Sequence, residues 1–176
     1  MPSIARLGHV GLHVNDLNAS TAFYRDVLGL TVTDKDPEVG MVFLSARPEV
    51  EHHELLLCEG RDTPMEAKLV QQVSFRCDTL EDVRGYYQRL RENDVRIDMT
   101  VSHGNAIGMY FYDPDGNRCE VYCSTGFEAR QPYLVHVDLE KPADVLLSEV
   151  AVSVAEHGST GYVEPRFLEL QDIKPD

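Results

Sequence analysis

Four polar side chains occupy matched places in the sequence and are of types that bind metal ions. His9 and Gln72 hold equivalent places on the first strand of two similar segments, and Glu54 and Glu120 are predicted to hold equivalent places on the last strand of each. Imidazole, amide oxygen and carboxylate together suit a divalent ion such as Fe(II), Mn, Ni or Zn. On residue types alone, Glu54 and Gln72 fit solvent-facing positions equally well. Glu120 has apolar neighbours, and a buried carboxylate is costly unless it is paired or bound to metal.

An internal repeat predicts the elements that carry these residues. An alternating strand pattern at 7–14 precedes a helical stretch that ends at Gly29, and the same order recurs from residue 70. Three further strand-like segments follow in each half, so each half reads strand, helix, then three strands. We therefore predict an α+β fold of two βαβββ modules, residues 5–60 and 68–126, that form a shared half-barrel cleft. A module of this size cannot bury its sheet face alone.

The remaining chain is predicted to be a C-terminal extension. Residues 1–126 would form one domain, and residues 127–176 would follow it with one helix. That helix is indicated by apolar residues at helical spacing between Pro142 and Val154. It could pack across a dimer, so we expect a homo-oligomer.

Composition restricts the partners. The formal net charge of -14 disfavours binding to nucleic acid and to anionic membranes. No apolar run approaches the ~20 residues of a membrane span, and the first residues lack the apolar core of a signal peptide. We expect a cytoplasmic protein whose partner is a small molecule. The spacing of the four cysteines excludes an all-thiolate zinc site.

Two stretches resemble the vicinal oxygen chelate superfamily, which includes glyoxalases, bleomycin resistance proteins and extradiol dioxygenases. Residues 8–17, with the Phe-Tyr and Val-Leu-Gly-Leu that follow, are similar to the opening of such proteins. Residues 110–121, which contain Asp-Pro-Asp-Gly-Asn, are similar to their closing hairpin. The resemblance covers about residues 5–126 and implies that His9 and Glu120 are metal ligands.

Within the superfamily, the chain most resembles one-domain extradiol dioxygenases. The resemblance implies that one of His52 and His53, preferably His53, is the acid/base, and that His103 and Tyr110 hydrogen-bond a catecholate. Gln72 departs from the pattern, because it stands where these enzymes have a second histidine ligand.

The resemblance therefore leaves three functions open. The first is Fe(II)-dependent extradiol ring cleavage of a catecholic substrate. The second is a glyoxalase-like lyase or isomerase, which would act on an α-hydroxycarbonyl substrate through a metal-chelated enediolate. In that case Gln72 would be a ligand and Glu54 an extra one. The third is a non-catalytic small-molecule-binding protein.

Overall fold

The structure is a computed structural model that describes residues 3–67 and 69–168, and it divides into two compact units. The first unit takes the chain up to Leu69 together with Asp113–Asn117. The second takes Val70–Tyr112 and the chain from Arg118 onward. The α+β class and the order strand, helix, three strands are confirmed in both halves. The shared cleft and the division at residue 126 stay predictions.

The first unit is a four-stranded sheet with one short helical segment. Its elements are β1 (Val10–Val14), α1 (Leu17–Ala22), a π-helical turn (Phe23–Val27), β2 (Thr31–Asp36), β3 (Met41–Ser45) and β4 (Leu55–Glu59). The strand order is β1-β4-β3-β2, and β1 runs parallel to β4. Asp16 caps α1 by accepting hydrogen bonds from the backbone N–H groups of Asn18 and Ala19. Gly29 follows the helical segment with a φ of 77°, a conformation that favours glycine.

The second unit is built on a six-stranded sheet. Its elements are β5 (Val73–Arg76), α2 (Leu80–Glu92), β6 (Ile97–Ser102), β7 (Ala106–Tyr112), β8 (Arg118–Ser124), β9 (Tyr133–His136), α3 (Ala143–His157), β10 (Tyr162–Val163) and α4 (Pro165–Leu168). The strand order is β10-β9-β6-β7-β8-β5. Thr79 and Asp82 form a capping box at the start of α2. Helix α2 packs against β8 and β7, so alternate residues of these strands point either towards α2 or to the opposite face of the sheet.

The C-terminal extension completes the sheet of the second unit. β9 pairs with β6, where Val101 opposes His136, and β10 pairs with β9. The predicted helix is confirmed as α3, whereas β9, β10 and α4 were not predicted. These three elements have four residues or fewer, which is too short for a periodic pattern to identify them. No helix within the described ranges is long and apolar enough to cross a membrane.

The predicted turn after β7 is buried in the first unit. Within Asp113–Asn117, the backbone N–H of Asp113 donates to the carbonyl of Asn117. The carboxylate of Asp115 is 2% exposed and accepts hydrogen bonds from the backbone and side-chain nitrogens of Asn15 (2.8 and 2.6 Å) and from the hydroxyl of Ser20 (2.8 Å). This carboxylate thus satisfies three polar groups at the start of α1.

Replacing Asp115 with alanine should destabilise the protein strongly. The Asp115→Ala change leaves three donors without their acceptor, and we expect it to lower the free energy of unfolding by about 2–4 kcal/mol. Urea denaturation measures the effect. Asp26→Ala is the control, because that carboxylate lies in an exposed ion pair with Arg25 and should matter far less. Equal losses in the two variants would mean that the buried turn does not stabilise the fold.

Candidate functional site

Glu120 lies in the middle of β8, and its side chain is buried. The residue is 5% exposed. Its Oε2 accepts a hydrogen bond from the Ser74 hydroxyl at 2.6 Å and another from Nε2 of Gln72 at 3.1 Å. The parallel pairing of β5 with β8 sets Ser74 directly opposite Glu120. A carboxylate is thus held in place by two neutral donors.

Gln72 lies just before β5 and Ser74 lies within it, and the two side chains bind the same carboxylate. Nε2 of Gln72 also donates to the Ser74 hydroxyl at 2.8 Å. The amide nitrogen of Gln72, rather than its oxygen, therefore faces Glu120. A rotated amide would bring two oxygens together, which becomes favourable only when a cation lies between them.

His103 and Tyr110 form a hydrogen-bonded pair on the second unit's sheet. Nδ1 of His103 lies 3.0 Å from the carbonyl oxygen of Tyr133, and Nε2 lies 3.0 Å from the Tyr110 hydroxyl. A carbonyl can only accept, so Nδ1 carries a proton, and in the neutral ring the Tyr110 hydroxyl donates to Nε2. Burial raises the pKa of Tyr110, and the nearby carboxylate of Glu120 adds to this shift. Nε2 of His103 is 4.0 Å from Oε1 of Glu120.

Three histidines of the first unit lie side by side. His9 immediately precedes β1, and its ring centroid is 4.3 Å from that of His53. Nδ1 of His52 is 2.9 Å from Nδ1 of His53, so one ring donates a hydrogen bond to the other. Burial lowers the pKa of His53, and the neighbouring His9 and His52 lower it further. His53 is therefore the member of the pair that contacts His9, whereas His52 faces Asp34 at 3.8 Å.

The matching of Glu54 with Glu120 is wrong in register. In the first unit, β1 and β4 pair so that Gly11 opposes Leu56, and in the second unit Ser74 opposes Glu120. Gly11 and Ser74 are equivalent because His9 and Gln72 are, so Leu56 holds the place of Glu120. Glu54 lies two residues earlier.

Glu54 has a cationic partner in its own unit. Arg47 donates to its Oε1 at 2.7 Å, and the backbone N–H of Ala46 donates to its Oε2 at 3.0 Å. Partial burial opposes ionisation, but these hydrogen bonds outweigh it and the pKa of Glu54 is lowered. The structure thus gives Glu54 a different partner, and its role as a ligand stays an untested prediction.

The residues around Glu120 fit a divalent cation by their chemistry. Ser74 and Gln72 are neutral. Arg118, two residues before Glu120 on β8, forms an ion pair with Asp98. The buried carboxylate consequently lacks a permanently charged partner among these neighbours, and a cation would compensate it. No group of three or more His, Cys, Asp or Glu side chains forms a metal-binding cluster in residues 3–67 and 69–168.

Several groups of the site were missed from the sequence. Ser74 could have been found, since it follows Gln72 by two residues on a strand. The Tyr133 carbonyl could not, because every residue has one. Asp98 and Arg118 could not be found either, because the chain has many charged residues and nothing in the sequence distinguishes these two.

Comparison with known proteins identifies the family. A sequence model described as the Glyoxalase/Bleomycin resistance protein/Dioxygenase superfamily matches residues 6–121. The chain is 34% identical over 122 residues to biphenyl-2,3-diol 1,2-dioxygenase 3 of Rhodococcus globerulus. This alignment covers 66% of this chain and 62% of that protein. It is 32% identical over 172 residues to metapyrocatechase of Pseudomonas sp. strain CF600, and this alignment covers 93% of this chain and 50% of that protein.

A manganese-dependent 2,3-dihydroxybiphenyl 1,2-dioxygenase of Geobacillus genomosp. 3 is also related, at 30% identity, with 68% of this chain and 36% of that protein covered. The chain therefore spans between about a third and less than two thirds of the length of these three relatives.

Solved structures support the fold. The fosfomycin resistance protein FosX of Listeria monocytogenes superposes with a TM-score of 0.57 at 22% identity, covering 69% of this chain and 95% of that chain. Lactoylglutathione lyase from Agrobacterium tumefaciens gives a TM-score of 0.55 at 24% identity, covering 69% and 96%. At these identities the likeness concerns the fold alone. Together with the match of the family model over most of the chain, these findings show that the protein belongs to the glyoxalase/bleomycin resistance/dioxygenase superfamily.

Proposed function

We propose that this chain is an extradiol ring-cleavage dioxygenase that acts on a small catecholic substrate. The observation that carries the proposal is the arrangement of Glu120, Tyr110 and His103 in the second unit. A buried carboxylate there lies beside a hydrogen-bonded tyrosine and histidine. Two of the three curated relatives named above are dioxygenases that act on 2,3-dihydroxybiphenyl, and the third is a metapyrocatechase.

Two residue sets would hold the metal and the substrate. Glu120, His9 and Gln72 are the proposed metal ligands, with Gln72 supplying its oxygen after rotation of its amide. His9 enters the set through the family resemblance. The bound ion, which we propose to be Fe(II), with Mn, Ni or Zn as alternatives, would supply the Lewis-acid and electron-transfer chemistry of ring opening.

The chain's own groups would bind the substrate and move its protons. Nε2 of His103 would accept a hydrogen bond from one phenolic hydroxyl, and the Tyr110 hydroxyl would donate to the same oxygen. His53 would accept a phenolic proton and return it to the product. Ring opening places both atoms of O₂ in the product, so the reaction consumes no further reductant.

The alternative glyoxalase-like reaction depends on Glu54. Such an enzyme would use Glu54 as an extra ligand, but Arg47 already binds that carboxylate in the first unit. Binding of a small molecule without turnover requires no metal at all. Both alternatives are therefore distinct outcomes of the experiment below.

The wild-type protein, loaded anaerobically with Fe(II), should consume O₂ when mixed with catechol or 2,3-dihydroxybiphenyl. Ring-opened products of catechols are yellow, so absorbance follows the reaction beside an oxygen electrode. The control is the same protein after removal of metal by a chelator. Iron bound without oxygen uptake would contradict the proposal. Binding of nickel or zinc through Glu54 would replace it with the glyoxalase-like function, and a protein that binds none of these metals would be a non-catalytic small-molecule-binding protein.

A further inference from the structure

An ion pair crosses the ring of Tyr110 on the sheet of the second unit. Asp98 on β6 and Arg118 on β8 flank Tyr110, which lies on the intervening strand β7. Nε and Nη2 of Arg118 lie 3.0 and 2.9 Å from Oδ2 of Asp98. The guanidinium carbon of Arg118 is 3.8 Å from the centroid of the Tyr110 ring. The bridge thus covers one face of the ring.

Asp98 reaches this position because the strand is irregular there. Ile97 pairs with Phe111 and Met99 pairs with Tyr110, so Asp98 is an extra residue in β6. In a regular strand Asp98 would share a face with Thr100, opposite to Met99. A β-bulge redirects the side chain, and here it brings the carboxylate to the side of the sheet where Arg118 lies.

The Tyr110 ring also meets the His103 ring edge-on, with centroids 6.2 Å apart, and it packs against apolar residues. Tyr110 is 6% exposed and packs in a cluster with Val101, Leu134 and Phe167. Arg118 lies over the face of the ring at a distance typical of a cation–π contact. The ring is therefore enclosed by an apolar cluster and by the Asp98–Arg118 bridge.

We propose that Asp98 and Arg118 are positioning residues that hold the Tyr110 hydroxyl against His103. This inference rests on the proposed function, in which that hydroxyl binds a phenolic oxygen of the substrate. Asp98 fixes the guanidinium through two hydrogen bonds to one oxygen, and the guanidinium fixes the ring. Neither charged side chain touches the substrate in this role.

The bridge differs from the other ion pairs at the surface. The side chains of Arg118 and Asp98 are 20% and 26% exposed, whereas those of Lys141 and Glu149 are 40% and 51% exposed. Glu149→Gln breaks the second pair and serves as the matched control. Arg118→Lys keeps the charge but loses the planar group that stacks on the ring. Asp98→Asn keeps the shape of the anchor but removes its charge.

The first measurement does not depend on activity. Tyrosine labelled with ¹³C in the ring gives a Tyr110 signal that is identified by its absence in Tyr110→Phe. Asp98→Asn and Arg118→Lys should move this signal, and Glu149→Gln should leave it in place. Thermal unfolding establishes that each variant is folded, and if one is not, the other still decides the result. An unmoved signal in a folded variant would overturn the inference.

The second measurement uses the Fe(II)-loaded protein with catechol. Displacing a catalytic group by about 1 Å can cost about a hundredfold in rate, so kcat should fall between tenfold and a hundredfold in both variants. Affinity for Fe(II) and KM should stay near wild type. Wild-type kcat in both variants would overturn the positioning role even if the signal moves. A wild-type protein without ring cleavage would remove the proposed function, and the Tyr110 signal alone would then decide whether the bridge holds the ring.

Discussion

Glu120→Ala will abolish stoichiometric binding of Fe(II) and leave the domain folded. Glu120 is the buried carboxylate of the site, and it already has its two hydrogen-bond donors in place. Loss of a group that merely supports a ligand costs about 10–100-fold in metal affinity, so loss of the ligand itself should cost at least about 100-fold. Equilibrium dialysis followed by elemental analysis measures the occupancy, and circular dichroism measures the fold. His9→Ala should give the same result.

Glu54→Gln is the matched control for this experiment. It also removes one carboxylate charge, but from a residue that Arg47 and Ala46 already hold. We expect its metal affinity to equal that of the wild type. Full occupancy in Glu120→Ala would take Glu120 out of the ligand set. Loss of metal in Glu54→Gln would return Glu54 to that set and favour the glyoxalase-like reaction.

Gln72→His will raise the affinity for Fe(II) by about tenfold or more, which is the scale on which changes close to a metal act. The variant provides two histidines and a carboxylate, the set found in non-haem Fe(II) oxygenases, and imidazole binds Fe(II) more strongly than an amide. It also removes the amide nitrogen that now faces Glu120. Competition with a coloured chelator measures the affinity, and the oxygen electrode with 2,3-dihydroxybiphenyl measures ring cleavage.

Gln71→His tests whether position or composition matters. Gln71 lies in a bend next to Gln72, whereas the donors to Glu120 are Gln72 and Ser74. The same imidazole placed at position 71 should therefore leave iron affinity unchanged. Ring-cleavage activity that is present only in Gln72→His would mean that the natural protein does not catalyse ring cleavage. Activity in the wild type would mean that Gln72 is tolerated as a ligand or not needed. If neither protein binds iron or consumes O₂, the dioxygenase proposal falls.

The order of the elements could be predicted because it rests on local patterns. Strand β1 alternates between buried and exposed residues, and Gly29 ends the helical segment at a positive φ. The turn at Asp113–Asn117 is defined by residues that favour such turns. These signals act over a few residues and do not depend on which strands pair.

Strand register and bulges depend on pairing and could not be predicted in this way. Matching two similar sequence blocks set Glu54 against Glu120, but the paired strands set Leu56 there. The two modules have different loops before this strand, so sequence similarity alone does not show which residues of the last strands are equivalent. The bulge at Asp98 likewise follows from the pairing of β6 with β7 and leaves no mark in the sequence.

The orientation of His103 depends on an atom that point mutation cannot remove. The carbonyl oxygen of Tyr133 fixes the proton on Nδ1, and any residue at position 133 supplies the same oxygen. A substitution at position 133 therefore keeps this acceptor even where it disturbs the packing of the buried side chain. An insertion or deletion between residues 126 and 133 would instead shift β9 against β6 and move the carbonyl away. The family model ends at residue 121, so this acceptor lies outside the region that the family model matches. Chains with the same residues at positions 6–121 can thus differ in which ring nitrogen of this histidine carries the proton.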